Sequence, residues 1–287
     1  MTAPEPLVAV PVRHWGRWVS GALVLGALAL LATAFARADV QWSVTREFLT
    51  VETIVRGAGR TLLISVLAQA LGIVLGVVVA VMRQSGNPVT GAVGWLYVWF
   101  FRGTPVLLQL FLWYNLGLVF PTLLGQPTTD VMTPFVAALL GLGINEGAYM
   151  AEIVRAGISA VDEGQTEAAQ ALGMRRGLVM RRIVLPQAMR VIIPPTGNEF
   201  INMLKTSSLA FAITYEELTL AARTIYINNL LVFELLFTAA IWYLLLTSVF
   251  SVFQYYLERR FSRGSARELP PTPLQRLRSN LTKAPRL

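Results

Sequence analysis

Apolar segments of about 20 residues recur along this chain, and they constrain its fold more than any other feature. A helix of that length crosses the roughly 30 Å hydrocarbon core of a bilayer. Backbone polar groups in lipid must be paired within their own segment, and the short alternating strands of a membrane β-barrel are absent, so the segments are predicted to be helices. Only 14% of the residues are charged, against about 25% in soluble domains. The predicted fold class is an all-α polytopic membrane protein.

Six transmembrane helices are predicted along the chain. They cover residues 19–36, 61–82, 95–120, 133–158, 191–214 and 232–257. Together they define a transmembrane domain over residues 19–261, with an N-terminal tail at 1–18 and a basic tail at 262–287. The basic tail is rich in Pro, Arg and Ser, a composition typical of disordered segments.

The distribution of Lys and Arg predicts the orientation of these helices. If the N-terminus is cytoplasmic, sixteen of the 24 Lys and Arg residues fall on the cytoplasmic side and five on the outer side. Cytoplasmic loops carry the excess of positive charge, so both termini are predicted to be cytoplasmic, in the inner or cytoplasmic membrane. The net charge of +8 is explained by this topology and requires no nucleic acid.

The first predicted helix has an alternative interpretation as a cleaved signal peptide. Arg13 and Arg17 precede an apolar run that ends in Ala34-Phe35-Ala36, which fits a cleavage site with small residues. The run is longer than a typical signal, so the retained helix is favoured. The remaining five helices keep the same orientation in both interpretations.

The residue inventory disfavours an enzyme. The chain has no cysteine and one histidine, His14, so thiolate or histidine metal sites and histidine-based triads are not expected. A phosphate-binding loop needs glycines ahead of its Lys-Ser/Thr pair, and none precedes Lys205-Thr206 at the required spacing. No catalytic residue and no metal site are predicted. A membrane anchor is also disfavoured, because six helices with polar stripes exceed what an anchor needs.

The loop at residues 161–190 carries a short predicted helix. Asp162 is a plausible N-cap, and Gly173 suits the left-handed position that often follows a helix. Ala168 and Ala169 offer a small surface that permits close approach by a partner, while so short a helix is not stable alone. From the residues alone, docking on a protein and lying on anionic lipid are equally supported.

The spacing within this loop resembles the EAA loop of binding-protein-dependent ABC importers. The matching residues are Glu167-Ala168-Ala169, then Gly173, then Ile183-x-Leu185-Pro186. The stretches 101–105 (FRGTP), 147–153 (GAYMAEI) and 198–200 (NEF) further resemble the polar amino-acid permeases, the histidine/glutamate/glutamine/arginine group. The resemblance covers roughly residues 50–263 and implies a five-helix type I importer core plus an N-terminal helix.

This resemblance implies a function and a set of partners. The loop helix would be a coupling helix docked on a separate ABC ATPase, and the spans would move a polar amino acid into the cytoplasm by alternating access. The expected partners are an ATPase dimer, an identical or homologous second permease subunit, an extracytoplasmic amino-acid-binding protein and membrane lipid. No cofactor is expected in this chain, and ATP and Mg would bind the ATPase. The coupling residues would be Glu163, Gly164, Glu167, Ala168, Ala169, Gly173, Ile183, Leu185 and Pro186. A rigid break in the chain is expected at Pro186.

Polar residues inside the predicted spans are candidates for a translocation pathway, because polar and charged groups in lipid are costly. They are Thr104, Gln109, Asn145, Glu146, Tyr149, Asn202, Lys205, Thr206 and Ser207. Asn198, Asn202 and Lys205 share one predicted helical stripe. Lys205 would meet a carboxylate, and Glu146 or Glu152 an ammonium group.

Three alternatives bear on this pathway. In a purely structural alternative, Glu146 pairs with Lys205 and Glu152 with Arg155. Thr206 stands where the resembled family commonly has an aspartate, which weakens the case for a strongly cationic substrate. A secondary, ion-coupled amino-acid carrier is the alternative function, and it would need no docking helix.

Overall fold

The computed structural model describes residues 15–38 and 40–261. The predicted basic tail at 262–287, most of the N-terminal tail at 1–18 and His14 lie outside the described residues. The chain divides into two compact units, Met1–Val44 and Thr45–Leu287.

The first unit consists mainly of helix α1 (Trp15–Arg37), which contains the predicted first span. Its described side chains are all exposed, including Trp18 and Leu30. A helix that is apolar on every face suits a lipid environment. The short helix α2 (Trp42–Phe48) follows and crosses the boundary between the units.

The second unit is built almost entirely from helices. Its first half contains α3 (Glu52–Gln84), α4 (Pro88–Gly103), α5 (Val106–Tyr114), a 3-10 turn (Leu116–Leu118), the strands β1 (Thr122–Leu123) and β2 (Gln126–Pro127), α6 (Thr128–Val131) and α7 (Pro134–Ser159). The two strands pair antiparallel, with Thr122 opposite Pro127 and Leu123 opposite Gln126.

The second half begins with the predicted coupling loop at residues 161–190. It contains α8 (Glu163–Ala171), α9 (Arg176–Val179), a π-helical turn (Met180–Val184), α10 (Leu185–Thr206), a 3-10 helix (Ser207–Ile213), α11 (Leu218–Asn229) and α12 (Val232–Phe261). The predicted fifth span, 191–214, therefore covers most of α10 and the 3-10 helix after it.

Three helices in the described residues are long and apolar enough to span a membrane: Trp18–Arg37, Glu52–Gln84 and Val232–Phe261. A fourth span is possible if α4 and α5, bent by 103° at their junction, act as one broken span. The predicted continuous helix at 95–120 is thus interrupted. Pro105 explains the break, because it has no N–H to donate and forces Thr104 into an extended conformation (φ −114°, ψ 143°).

Helix α7 packs along α3 through small residues. A Cβ atom on Gly72 would collide with Glu146, and one on Gly147 would lie 2.6 Å from the Tyr97 hydroxyl. Gly72 is followed by Gly76 four residues later, and Gly147 follows Gly143 by the same interval. This spacing of glycines allows two membrane helices to approach closely, so the α3–α7 contact forms the centre of the second unit.

Two of the buried apolar clusters join α5, α10, α11 and α12 to this pair. One brings together α3, α5, α7 and α10 with the following 3-10 helix, around Ile64, Leu110, Leu142, Met203 and Ile213. The other joins α3 to α11 and α12, around Ile54, Leu218 and Leu235. The core therefore lies between helices, while lipid-facing sides stay apolar and exposed.

The expected break at Pro186 is wrong, because the chain stays helical through it. Leu185 N–H bonds the Met180 carbonyl five residues back, which makes the π-helical turn, and Pro186 then falls in the first turn of α10. The proline is accommodated because it follows the π-helical turn, where the regular i to i−4 hydrogen bonding is already interrupted. From Arg176 onwards, the predicted coupling loop thus continues into α10 as one helical segment.

Candidate functional site

A polar cavity of about 640 Å³ lies between α7 and α10, beside the start of α5. It gathers six of the predicted pathway residues: Asn145, Glu146, Tyr149, Asn202, Lys205 and Thr206. Thr104, Gln109 and Ser207 are not part of its lining. Its size is within the range of small-molecule sites, and its lining mixes a few polar groups with apolar ones such as Leu142 and Met203.

Glu146 is the most deeply buried charged group of the cavity, with 5% of its surface exposed. Gln69 of α3 donates from Nε2 to Glu146 Oε1 over 3.2 Å. The other carboxylate oxygen, Oε2, accepts no hydrogen bond within the described part of the chain. The close approach of α3 at Gly72 holds the Glu146 side chain against Gln69.

Tyr149 carries a second polar feature of the cavity wall. The guanidinium carbon of Arg102 lies 5.1 Å from the centre of the Tyr149 ring, which is a cation–π arrangement. Arg102 sits near the end of α4, one residue before Gly103 and the bend. The bend between α4 and α5 therefore brings a positive charge to the tyrosine of α7.

Thr104 and Gln109 hold that bend together. Gln109, only 2% exposed, donates from Nε2 to the Phe101 carbonyl (3.0 Å), the Thr104 carbonyl (3.1 Å) and the Thr104 hydroxyl (2.7 Å). Asn145 donates from Nδ2 to the Phe101 carbonyl (2.7 Å) and to Gln109 Oε1 (3.3 Å). These bonds satisfy carbonyls that the helix break leaves free, which buried backbone requires.

Of the two ion pairs in the structural alternative, the one between Glu152 and Arg155 is formed and the one between Glu146 and Lys205 is not. Glu152 does bind Arg155, with Nη2–Oε2 at 2.9 Å, and it also pairs with Arg83 of α3. Glu146 and Lys205 form no ion pair with each other in the described residues. The structural alternative, in which Glu146 pairs with Lys205, is therefore not observed.

The face of α10 that lines the cavity differs from the predicted stripe of Asn198, Asn202 and Lys205 at its first position. Asn198 is exposed and donates to Glu258 of α12 over 3.3 Å, so it points away from the cavity. Glu199 lines the cavity in its place, together with Asn202 and Thr206 at three and seven residues further along. That spacing defines one face of a helix and could have identified Glu199. Ser207 is fully buried and donates to the Leu204 carbonyl over 2.9 Å.

The predicted coupling helix is formed and capped at both ends. Asp162 accepts from the Gly164 N–H at 2.8 Å, and Gly173 has a φ of +79°. Beyond the helix, Met174 N–H bonds the Ala169 carbonyl (3.1 Å) and Gly173 N–H bonds the Gln170 carbonyl (2.9 Å). This pair of bonds is the Schellman motif, which fixes the end of α8 and the direction in which the chain leaves it.

One side of α8 packs against the rest of the fold, and the other side is exposed. Ala169 is buried against Val179, Val184 and neighbouring apolar residues, so it faces inward. Ile183 is half-buried in the same cluster. The other predicted coupling residues are exposed: Glu163, Gly164, Glu167, Ala168, Gly173, Leu185 and Pro186.

Similarity to known proteins agrees with this arrangement. Residues 72–263 match the family described as "Binding-protein-dependent transport system inner membrane component". The chain is 48% identical to the "Arginine transport system permease protein ArgU" of Corynebacterium glutamicum, covering 96% of this chain and 89% of that protein. It is 36% identical to the "Glutamine transport system permease protein GlnP" of Escherichia coli, covering 72% and 92%.

Solved structures give the same result. The chain resembles a chain of an "amino acid ABC transporter with histidines" with a TM-score of 0.70 and 36% identity, over 78% of this chain and all of that one. The MetNI methionine ABC transporter, at 19% identity and a TM-score of 0.59, supports the fold alone. The EAA motif is a feature of this family, and its relatives are permease subunits. The chain belongs to the inner-membrane components of binding-protein-dependent transport systems, the permease subunits of ABC importers.

Proposed function

We propose that this chain is a permease subunit that imports an α-amino acid across the cytoplasmic membrane. The observation that carries this is the cavity between α7 and α10, which has carboxylates, an ammonium group and amides in one space. An α-amino acid is a zwitterion, so a site with both signs of charge complements it. The names of two similar permeases, for arginine and for glutamine, support an amino acid as the substrate.

The proposed transport cycle requires a partner subunit that binds and hydrolyses ATP. We propose that the exposed side of α8, with Glu163, Gly164, Glu167 and Ala168, docks on an ABC ATPase that binds ATP and Mg. ATP binding would draw two ATPase subunits together, and α8 would transmit that movement through α9 and the π-helical turn into α10, which lines the cavity. This chain would thus hydrolyse no ATP itself.

The assembly also needs a substrate donor and a second membrane subunit. We propose two permease subunits, identical or homologous, over two ATPase subunits, with an extracytoplasmic binding protein that delivers the amino acid. Both termini of this chain would be cytoplasmic, with residues 19–261 as the transmembrane domain, 161–190 as the coupling loop and 262–287 as a cytoplasmic tail. The exposed position of Lys205 and Asn202 in the single chain supports a second subunit that completes the pathway.

A co-purification experiment tests the coupling surface. Glu167→Lys combined with Gly173→Asp should remove ATPase binding, because the first change reverses an exposed charge on α8 and the second strains a left-handed residue. Glu47→Lys, an exposed charge reversal on α2, is the control and should bind as the wild type does. Unchanged association and unchanged coupled hydrolysis in the double variant would mean that α8 is a lipid-facing connector.

Vesicle uptake tests the mode of transport. Membrane vesicles with the whole assembly should take up amino acid only with ATP and the external binding protein. A secondary carrier would instead lose uptake when an ionophore collapses the ion gradients, with ATP irrelevant. Ionophore-sensitive uptake without ATP would contradict the importer proposal.

A further inference from the structure

An apolar loop, residues 116–127, connects α5 to α6 and α7. It contains the 3-10 turn and the strands β1 and β2. Its apolar side chains Leu118, Val119, Phe120 and Leu124 are exposed, and those of Leu118 and Leu124 are exposed by 85% and 92%. Exposed apolar side chains that lie together mark a surface that contacts lipid or a partner.

The apolar loop belongs to a stretch of chain without charge. No Asp, Glu, Lys or Arg occurs between Arg102 and Asp130. The segment at residues 215–231, by contrast, carries Glu216, Glu217 and Arg223. Charged side chains are costly in lipid and favourable in water, so an exposed apolar loop that lacks them fits contact with lipid better than contact with water.

The backbone of the apolar loop forms hydrogen bonds within the loop and with the residue that follows it. Phe120 N–H bonds the Leu116 carbonyl over 3.0 Å, and β1 pairs with β2. Thr128 closes the loop, because its N–H bonds the Pro121 carbonyl over 3.0 Å and its hydroxyl donates to the Phe120 carbonyl. Lipid offers no partner to backbone groups, so a segment at the membrane must satisfy them itself.

Contacts at the start of α7 give the depth of the apolar loop. The ring of Phe135, in the first turn of α7, lies 6.0 Å from that of Tyr215, whose hydroxyl donates to the Arg60 carbonyl over 3.4 Å. No charge occurs on α3 between Arg60 and Arg83, and these two residues are about 35 Å apart at 1.5 Å per residue. Since the hydrocarbon core is about 30 Å thick, the first turn of α7 lies at its edge.

The tip of the loop places a leucine in a conformation that disfavours it. Leu124 has a φ of +52° and Gly125 a φ of +80°. Turns with positive φ at both central residues are usually Asn-Gly or Gly-Gly, because other side chains are strained there. A strained residue persists where its side chain has a role, and the exposed side chain of Leu124 points to a contact outside the chain.

We infer that the apolar loop is an interfacial anchor, which inserts its exposed side chains into the lipid leaflet on the side of the membrane opposite α8. Its partner is the boundary between headgroups and acyl chains, where apolar side chains are buried. The exposed Leu108 and Leu112 of α5 lead into the loop, so the lipid-facing surface of α5 continues into it. Helix α7 separates the loop from α8. The inference goes beyond the proposed import of amino acids.

Single-cysteine labelling measures the depth of the loop, because the chain has no cysteine of its own. Leu118→Cys and Leu124→Cys variants of the full-length permease, bound to its ATPase in lipid nanodiscs, each carry one nitroxide. Collisions of the nitroxide with oxygen, which enters lipid, are compared with collisions with a nickel chelate, which stays in water. Val78→Cys, at an exposed apolar position of α3, is the lipid control, and Glu52→Cys, at an exposed charged position, is the water control.

Both loop labels should collide more with oxygen than with the nickel chelate, as Val78→Cys does, and lie about 5–10 Å into the boundary between headgroups and acyl chains. A second variant tests whether the leucines hold the loop there. Leu118→Asn combined with Leu124→Asn removes two exposed leucines, and asparagine suits the left-handed conformation at 124, so the fold is kept. In that variant, a label on Phe120→Cys should gain access to the nickel chelate.

Three results would overturn the inference. Nickel-chelate access equal to that of Glu52→Cys would place the loop in water. If added external binding protein then lowered that access, the loop would be a docking site for that protein instead. Low access to both reagents would mean that a second permease subunit covers the loop. None of these results depends on transport, so the proposed import of amino acids stands or fails separately.

Discussion

Glu146 and Glu152 lie six residues apart on α7 and have opposite surroundings. Glu152 binds Arg83, which joins the last turn of α3 to α7, and Arg155 of its own helix. Glu146 faces a cavity and, among the described residues, its hydrogen-bond partner is the amide of Gln69. One carboxylate forms ion pairs that hold the fold together and the other forms none in the described chain, although both belong to the same apolar helix. The comparison teaches that burial of an acidic residue in a membrane helix does not reveal its role, whereas its partners do.

Glu152→Gln gives the largest expected effect on stability. The change leaves two arginines without their carboxylate, and the Arg83 side chain is only 18% exposed. We expect a loss of about 2–4 kcal/mol in the free energy of unfolding, measured by denaturation in detergent micelles. Glu52→Gln removes an exposed pair with Arg56 and should cost less than about 1 kcal/mol. Equal small losses would mean that the Glu152 cluster is no more structural than a surface pair.

Gly72→Ala tests the close contact that brings Glu146 to its position. A methyl group there would collide with Glu146, so we expect a loss of about 1–3 kcal/mol in the same assay. Gly59→Ala, in the same helix, meets no atom within 4 Å and is the matched control. It should be neutral or stabilising by less than about 1 kcal/mol, because alanine favours a helix more than glycine does. A Gly72→Ala protein as stable as Gly59→Ala would contradict the tight α3–α7 contact.

Glu146→Gln should change stability by less than about 1 kcal/mol, or raise it. The amide has the same shape, and the change removes a buried carboxylate that has no cation partner in the described chain. Thermal unfolding of both proteins without amino acid checks this. A loss of several kcal/mol would place Glu146 in the same structural class as Glu152 and remove the contrast between them.

Glu217 gives the smallest expected effect and extends the comparison outside the predicted spans. Its side chain is fully buried, accepts from the Tyr243 hydroxyl (2.6 Å) and caps α11 through the N–H groups of Thr219 (2.9 Å) and Leu220 (3.0 Å). Burial raises the pKa of the Glu217 carboxyl above its usual range, and its hydrogen bonds oppose that rise in part.

Because the folded state holds the Glu217 proton to higher pH than the unfolded chain, the stability from this group is present at low pH. It is lost as the pH rises through the folded pKa, above the ordinary carboxyl value of about 4. Melting temperatures of wild type minus Glu217→Gln should therefore decrease from pH 4 towards pH 7. Glu216→Gln, an exposed neighbour that pairs with Arg60, is the control. A difference that is constant with pH would contradict the prediction.

The long helices and α8 could be predicted because their signals are local. Apolar length indicated α3 and α12, and Asp162 with Gly173 indicated both ends of α8. The rotation of α10 could not be predicted in this way. Asn198 turns towards Glu258 of α12 and Glu199 towards α7, and this choice depends on helices distant in sequence. Residue type alone indicated most of the residues that line the cavity, whereas the face of α10 that lines it depends on packing against α7 and α12.

The bend after Gly103 differs from both cases. Its sequence signal, Thr104-Pro105, is local, but the long apolar run around it outweighed that signal in the prediction. Thr104-Pro105 interrupts an apolar run long enough for one span, and the run favoured a continuous helix. Pro105 breaks the helix, and the amide of Gln109 stabilises the bend by bonding the carbonyls that the break frees. A buried glutamine close to a proline in an apolar segment is therefore a sign of a broken helix as well as of a pathway.

The bend also has a consequence for how the chain is made. At 1.5 Å per residue, α4 extends about 24 Å and α5 about 14 Å, so neither half alone crosses a bilayer of roughly 30 Å. If the two helices form one broken span, residues 88–114 must enter the membrane together. Asn145, which pairs with Gln109 and the Phe101 carbonyl, is synthesised later. The bonds from Asn145 can form only once α7 has been synthesised, so the bend gains its last hydrogen bonds together with the cavity that α7 lines.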